Sequence, residues 1–235
     1  MEYISIFLIG IILLVGLKVI YSINLKEIKK LTKNEKLDKL VEEKFPSNKE
    51  VCEEILKQLG NESVTVEESK DEKAETSLYI AVTNKIVLAN IRKSYSRIQT
   101  IAHECVHSVQ DRRVLLFNFI FSKIYILYFI SLLLLTILQK IQNPMFHVAI
   151  LSTLGLVYFS VRSMLETNAM TKAKYVAKEY MEEIEVITKE EENEILQAYD
   201  EINKIGIKTV NYQILCNPIC KIMLYSFLVW LLQVI

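Results

Sequence analysis

The chain has 235 residues, of which 51% are hydrophobic, and its 28 basic side chains balance 28 acidic ones. A formal net charge of zero gives no sign of a nucleic-acid partner, because nucleic-acid-binding proteins carry an excess of basic side chains. The apolar residues are clustered in a few long stretches, a distribution typical of an integral membrane protein.

Four apolar stretches approach the length needed to cross a bilayer, whose hydrocarbon core requires about 20 apolar residues in helical form. They are residues 3–21, 114–138, 145–161 and 212–235. Lys123 and Lys221 interrupt the second and the fourth stretch. These two segments would therefore have to tilt, extend the lysine towards the interface or lie partly in the interface.

Residues 1–22 are interpreted as an uncleaved membrane anchor. The alternative is a secretory signal peptide, but the stretch lacks a positively charged start and a small-residue cleavage site. Lysine and arginine are concentrated after the first span, before the second and after the third, whereas the turn at residues 139–144 holds only Lys140. By the positive-inside rule, the N-terminus lies outside, and residues 23–113 and 162–211 lie in the cytoplasm.

The sequence therefore predicts a mainly α integral membrane protein with about four transmembrane helices and a cytoplasmic α+β region. Its predicted segments are an anchor at residues 1–22, an α/β region at 23–113, a two-helix transmembrane hairpin at 114–164, cytoplasmic helices at 165–211 and a last membrane helix at 212–235.

Two helices are predicted at the start of the first cytoplasmic segment. Residues 24–45 carry leucine, isoleucine and valine at helical spacing, and Pro46 ends this helix. Ser47 with Glu50 forms a capping box that opens the second helix, and Gly60 closes it.

Strands follow these helices. Residues 63–67 alternate like a strand, residues 68–75 form a charged loop, and residues 77–90 form a hairpin that turns at Val82, Thr83 and Asn84.

Three more helices are predicted around the membrane hairpin. The first covers residues 94–113 and can continue into the second span, and another covers residues 166–184. Thr188 with Glu191 caps the last one, which reaches about Lys204.

The four cysteines are predicted to remain reduced. By this topology Cys52, Cys105, Cys216 and Cys220 lie on the cytoplasmic side or in the membrane, so no disulfide is predicted. Cys216 and Cys220 are one helical turn apart, but two thiols alone make a poor zinc site and a packing role is favoured.

The stretch HECVH at residues 103–107 holds two of the three histidines. On a helix, His103 and His107 share one face and can both bind one Zn²⁺. Glu104 is rotated by about 100° from His103 and can reach a water held by that metal. The alternative is a helix with incidental histidines, but an in-order His-Glu-x-x-His arises by chance in only roughly a few chains per thousand of this composition.

A catalytic zinc site of this kind needs a third protein ligand. His147 lies near the outer end of the third span by the predicted topology and is interpreted as an interfacial residue. Glu166 is favoured because it follows the third span and alanines recur on nearly the same helical face, which lets its helix approach another closely. The competing carboxylates, in an acidic cluster further along, are Glu179, Glu182, Glu183 and Glu185.

Taken in chain order, the membrane anchor, the hairpin, AHECVHSVQD (residues 102–111), two spans, LETNAMTKA (residues 165–173) and a last span resemble the YugP-type family of neutral zinc metallopeptidases. These are bacterial integral membrane proteins. Tight identity is confined to about 20 residues around the two motifs. The resemblance implies a zincin-like cytoplasmic region with zinc on His103, His107 and Glu166 and with Glu104 as the catalytic glutamate.

The chain departs from the family pattern at two positions. Val106 replaces a glycine that is common between the histidines, and Asn168 stands where the family tends to have aspartate. An amide oxygen can accept from a ligand imidazole, with less charge than a carboxylate. Asn168 lies about 200° from Glu166 around a helix, so a role at the site would require it to reach around the metal or contact a different partner. This geometry slightly favours a solvent-facing or interhelical asparagine instead.

These residues predict a membrane-bound zinc metalloendopeptidase at the cytoplasmic face, with Glu104 as general base. Its expected partners are Zn²⁺, the lipid bilayer and a peptide or protein substrate, including membrane proteins, that adds as an extended strand beside the hairpin. Candidate donors to the oxyanion, among which the sequence does not choose, are Tyr175, Tyr180, Tyr199 and Arg162.

Two alternatives stay open at this point. One is a zinc-binding but catalytically inactive membrane scaffold or regulator, suggested by Val106 and Asn168. The other is a metal-free structural membrane protein, in which the two histidines of the motif are incidental.

Overall fold

The computed structural model describes residues 1–24, 30–31, 33–71, 73–74 and 76–234 and is mainly helical. Its helices are α1 (Glu2–Ile20), α2 (Glu35–Lys44), α3 (Asn48–Gln58), α4 (Arg97–Val109), α5 (Arg112–Ile137), α6 (Pro144–Ile184) and α7 (Lys189–Val234). A small sheet consists of β1 (Thr65–Glu68), β2 (Leu78–Ile80) and β3 (Lys85–Leu88).

Four helices, α1, α5, α6 and α7, are long and apolar enough to cross a membrane. Each overlaps one of the four apolar stretches, so the prediction of four apolar helices of spanning length is confirmed. Their apolar side chains are largely exposed, as at Ile12 (71%) and Leu127 (62%). Apolar surface of this extent requires contact with lipid or with another protein.

Two of these helices extend beyond their apolar stretches. The helix predicted at residues 166–184 is the uninterrupted continuation of the third span in α6. The helix that Thr188 and Glu191 cap continues to Val234, so its predicted end near Lys204 was wrong. A change from polar to apolar side chains marks where a helix changes its surroundings, and it does not interrupt the backbone hydrogen bonds.

The chain forms two compact units. The helical unit consists of Met1–Ile23, Phe117–Met164 and Lys208–Ile235. The α/β unit consists of Asn24–Leu116 and Leu165–Ile207.

Close helix packing in the helical unit depends on two glycines. A Cβ atom at Gly10 would overlap the side chain of Met223, and one at Gly155 would lie 2.5 Å from Cβ of Pro218. Small residues at helix contacts in membranes let the backbones approach, and the resulting packing replaces the hydrophobic driving force that lipid removes.

Lys221 lies among aromatic rings of the helical unit. Its Nζ is 4.8 Å from the ring centroid of Tyr125, 5.9 Å from that of Phe129 and 6.0 Å from that of Tyr158. Aromatic faces attract an ammonium group, so cation–π contacts stabilise the charge of Lys221 within the helical unit. The sequence alone predicted that this charge would make the segment tilt, extend the lysine towards the interface or lie partly in the interface.

The sheet of the α/β unit has the strand order β1–β3–β2. The predicted hairpin is confirmed, since β2 pairs antiparallel with β3, and Asn84 at its turn has a left-handed φ of 50°. β1 begins at Thr65, two residues later than predicted, and pairs parallel with β3. β1 and β2 are therefore the two edge strands.

The helices before the sheet begin at side-chain caps. Asn34 accepts from the backbone N–H of Leu37 at the start of α2, while residues 25–29 and 32 of the first predicted helix lie outside the described residues. The predicted capping box is present, with Ser47 and Glu50 each accepting from the other's backbone N–H. In the predicted charged loop, residues 72 and 75 are likewise outside the described residues.

The helix that carries HECVH, α4, ends before the second span begins, so its continuation into α5 did not occur. Gln110 has an extended backbone with φ −70° and ψ 163°. The Asp111 side chain accepts from the backbone N–H of Arg113 at 2.8 Å and so caps α5. The chain thus turns between α4 and α5 at a local N-cap signal.

Arg97, at the start of α4, is fully buried and is held by oxygen atoms alone. Its guanidinium donates to the carbonyls of Val41, Phe45 and Pro46 and to Oδ1 of Asn48, at 2.9 to 3.1 Å. The last carbonyls of a helix lack intrahelical partners and carry the negative end of its dipole. Arg97 therefore ties the end of α2 and the start of α3 to the start of α4.

We expect Arg97→Met to lower the free energy of unfolding by about 3 kcal/mol, because four buried acceptors lose their charged donor. Thermal unfolding of the detergent-solubilised protein, followed by circular dichroism, measures the loss. Arg92→Met is the matched control, since it removes an exposed arginine shortly before α4. Equal unfolding midpoints of the two variants would contradict the role given to Arg97.

Candidate metal centre

α4 has an apolar face in the core and a polar face with the two histidines. Ile98, Ile101 and Cys105 are fully buried in the core of the α/β unit. His103 and His107 are one helical turn apart, with their rings edge to face and their Nε2 atoms 3.1 Å apart. The predicted pairing of the two imidazoles on one face is therefore present.

Glu166 of α6 completes the group. Its Oε2 lies 3.4 Å from Nε2 of His103 and 3.6 Å from Nε2 of His107. All three side chains are 11 to 20% exposed. The alanines that follow on α6, Ala169, Ala173 and Ala177, are buried in the same core, as expected for a helix that packs closely.

The three ligand atoms have the spacing that a tetrahedral metal ion requires. Atoms bound tetrahedrally at about 2.1 Å from an ion lie roughly 3.4 Å from one another. The separations among His103, His107 and Glu166 are 3.1, 3.4 and 3.6 Å. These residues therefore form a group that could hold a metal ion.

The charges within the group also favour a bound cation. Burial, the largest single effect, lowers the pKa of His107, but the neighbouring Glu166, Glu104 and Gln110 together outweigh it, so this pKa lies above its ordinary value. The centre thus holds its imidazoles beside a carboxylate that attracts positive charge, whether a proton or a metal ion.

Glu104 points towards the sheet rather than into the group of three. It is 7% exposed, and its Oε2 accepts from the backbone N–H of Tyr79 in β2 at 2.6 Å. Burial raises the pKa of this carboxyl group above its ordinary value, while the adjacent His103 and His107 act in the opposite direction. Glu104 interacts electrostatically with both histidines, and its role towards a water on their metal stays a prediction.

Gln110, to which the sequence-based prediction gave no role, contacts one of the histidines. Its Oε1 lies 2.8 Å from Nδ1 of His107. Its Nε2 donates to the carbonyl of Leu165 at 2.9 Å and to Oδ1 of Asn168 at 3.0 Å. A signal existed in the sequence, because Gln110 follows His107 by three residues and so can turn back towards it.

Asn168 is connected to His107 through Gln110. Of the two possibilities left open for this residue, reaching around the metal or contacting a different partner, the structure has the second. The rotation of about 200° from Glu166 is consistent with this, because it directs Asn168 away from the ligand atoms.

Two of the predicted oxyanion donors, Tyr199 and Tyr180, are buried in the core of the α/β unit. The Tyr199 hydroxyl donates to the carbonyl of Tyr95 in the core, and Tyr180 is fully buried against Phe45. Tyr175 is 60% exposed. Arg162 belongs to the helical unit.

Three of the other candidate ligands have partners of their own. Glu182 pairs with Lys189 at 3.4 Å, and Glu183 accepts a hydrogen bond from Gln58. His147, in the helical unit, has its Nδ1 2.8 Å from the Tyr128 hydroxyl.

The chain matches no family model, and neither a curated protein nor a solved structure is significantly similar to it. The assignment of a function therefore depends on the residues and on their geometry.

We expect His103→Ala, His107→Ala and Glu166→Ala each to weaken binding of added Zn²⁺ by about 100-fold or more, because each removes one of three ligands. Competition with a chromogenic chelator measures the affinity. Glu179→Ala, an exposed glutamate on α6, is the control and should bind as the wild type does. Unchanged affinity in Glu166→Ala would move the third ligand elsewhere.

Proposed function

We propose that the protein is a membrane-bound zinc metallopeptidase that hydrolyses peptide bonds. The spacing of 3.1 to 3.6 Å among the ligand atoms of His103, His107 and Glu166 carries the proposal. Catalytic zinc sites have three protein ligands and leave a fourth position for water, whereas structural sites use four protein ligands. Glu104 favours a catalytic site over a structural one, because a site that only binds a metal ion does not need a general base beside it.

The donor set favours Zn²⁺ among the common ions. Two imidazole nitrogens and one carboxylate oxygen form the ligand set of several zinc peptidases, whereas Mg²⁺ and Ca²⁺ prefer six or more oxygen ligands. Bound at this group, Zn²⁺ would supply a water of lowered pKa and would polarise the carbonyl of the scissile peptide bond.

Glu104 acts as the general base. Its carboxylate takes one proton from the water that attacks the peptide carbonyl and returns it to the leaving amine. One peptide bond and one water are thereby converted into a carboxylic acid and an amine, and Glu104 ends the cycle unchanged. The raised pKa that burial gives this carboxyl group makes it a stronger base than an exposed glutamate.

The open edge of β2 is the proposed site for the substrate chain. The backbone N–H of Tyr79 donates to Glu104 rather than to β3, so it lies on the free side of this edge strand. An extended peptide that pairs with this edge would take the Tyr79 N–H in place of Glu104 and would therefore lie beside the general base. The neighbouring Leu78, which is 54% exposed, offers apolar surface to its side chains.

We place the α/β unit in the cytoplasm of a bacterium and the chain in the zincin-like YugP-type family. The positive-inside pattern supports the first statement. The two motifs around His103 and Glu166 support the second.

We expect Glu104→Gln to retain zinc and to lose about 10²- to 10⁴-fold in peptide cleavage, because glutamine cannot take a proton from water. Casein digestion by the purified protein, with and without chelator, measures activity, and metal analysis measures zinc. Glu179→Gln is the matched control and should cleave normally. A zinc-loaded wild type that digests no more casein than the chelator-treated protein would favour the inactive scaffold.

We expect a cysteine at Glu190 to be protected from a membrane-impermeant maleimide in intact cells and a cysteine at Gln142 to react, because the two positions lie on opposite sides of the membrane in the proposed topology. Both positions are exposed. The background chain carries Cys216→Ala and Cys220→Ala, and both cysteines should react after permeabilisation. The reverse labelling pattern would invert the topology.

A further inference from the structure

Gln110 is the residue at which α4 ends, and its side chain turns back onto the helix. Its backbone is extended, and its Oε1 lies 2.8 Å from Nδ1 of His107. That nitrogen is on the side of the imidazole away from the ligand atom Nε2, which faces His103 and Glu166. Gln110 is therefore placed to act on a metal ligand without contacting the metal.

The orientation of the Gln110 amide is determined by α6. Its Nε2 carries two hydrogens, and two acceptors face it, the carbonyl of Leu165 and Oδ1 of Asn168. A flipped amide would direct its oxygen at these two oxygens and its N–H groups at the imidazole. The two acceptors on α6 thus keep Oε1 towards His107.

An amide oxygen can only accept a hydrogen bond, so Nδ1 of His107 must be the donor. A neutral imidazole carries one N–H, and its other nitrogen then has a free lone pair. With the proton on Nδ1, that lone pair is on Nε2, the atom within 3.6 Å of Glu166.

We infer that Gln110 is a positioning residue that holds His107 as its Nδ1–H tautomer with Nε2 free for the metal, and that Asn168 acts on the centre by holding Gln110. The inference rests on the metal centre of the proposed function, but it does not depend on peptide hydrolysis.

The same amide fixes the distance between the two ligand-bearing helices. Leu165 and Asn168, which accept from Gln110, flank Glu166 on α6. One side chain therefore sets the tautomer of His107 and links it to the segment that carries Glu166. The ligand side chains are thereby held close to the positions that they need for metal binding, which lowers the free-energy cost of ordering them.

This role of Asn168 also explains why asparagine can replace the aspartate that is usual at this position in the family that the chain resembles. The required group is an acceptor for the Gln110 amide, and the side-chain oxygen of either residue supplies it. The departure from the family pattern therefore leaves the support of His107 in place.

The first test compares Gln110→Met with Gln99→Met. Methionine has nearly the length of glutamine, but its thioether is only a weak acceptor for Nδ1–H and donates nothing to α6, so Gln110→Met should weaken Zn²⁺ binding by about 10- to 100-fold. Gln99 is on the same helix and donates to Asn203 at 2.6 Å, so its loss tests destabilisation of α4 alone. Zinc affinity is measured by chelator competition, and thermal unfolding is recorded for both variants.

A spectroscopic measurement separates positioning from stability. In metal-free protein with ¹⁵N-labelled histidine, of which the chain has three, the two ring-nitrogen shifts report the tautomer at a pH high enough to keep His107 neutral. His107 should be the Nδ1–H form in the wild type and in Gln99→Met, and a mixture of tautomers in Gln110→Met. A wild-type zinc affinity and an unchanged tautomer in Gln110→Met would overturn the inference.

A double-mutant cycle tests the part played by Asn168. Asn168→Asp should bind zinc as the wild type does, and Asn168→Leu should bind more weakly. Combined with Gln110→Met, Asn168→Leu should cause no further loss, because its effect passes through Gln110. Additive losses would overturn the indirect role.

A protein whose three proposed ligands bind no zinc would give a different set of results. If the wild type and His103→Ala bind zinc equally poorly, the proposed function fails and the role of Gln110 in metal binding fails with it. The tautomer of His107 in metal-free protein would then still show whether Gln110 orients the ring.

Discussion

The candidate metal centre depends on a helix, α4, that is held at both ends by polar side chains. At its start, Arg97 donates four hydrogen bonds to the end of α2 and the start of α3. After its last turn, Gln110 binds to α6. A rotation of α4 would move both histidines together and would break their distances of 3.4 and 3.6 Å to Oε2 of Glu166. Because hydrogen bonds are directional, these two contacts oppose rotation more effectively than apolar packing alone.

The apolar core of the α/β unit accommodates Val106, which stands where the family that the chain resembles commonly has glycine. Val106 is 1% exposed and belongs to the apolar core, so its side chain contributes buried surface there. Cys105 is also fully buried, with its Sγ 3.6 Å from that of Cys52. Burial raises the pKa of the Cys105 thiol well above its usual value, so this thiol stays neutral and unreactive beside the histidines. These contacts remove one reason for doubting the proposed activity, because the valine has a place of its own in the fold.

Local signals in the sequence were sufficient to predict the hairpin, the capping box at Ser47 and the four apolar helices, because each depends on residues close together in the chain. The prediction of Glu166 beside the two histidines used topology to discard His147 and used small residues to favour α6, and the structure brings these side chains together. The parallel pairing of β1 with β3 was missed because it joins segments that are distant in sequence. The contact of Gln110 with His107 is local and could have been predicted from the spacing of three residues. Its partners on α6 follow it by more than fifty residues and could not.

Two carboxylates lie beside the same pair of histidines, and their surroundings separate their roles. Glu166 directs Oε2 at both Nε2 atoms, so it can share a metal ion with them. Glu104 is tied by its Oε2 to the backbone of Tyr79. That bond favours the charged form of Glu104, while burial, the larger effect, favours the neutral form and raises its pKa. In the proposed reaction a base must be ionised when it accepts a proton and must hold that proton until the amine leaves. A carboxylate that is buried yet hydrogen-bonded meets both needs, whereas one bound to the metal would meet neither.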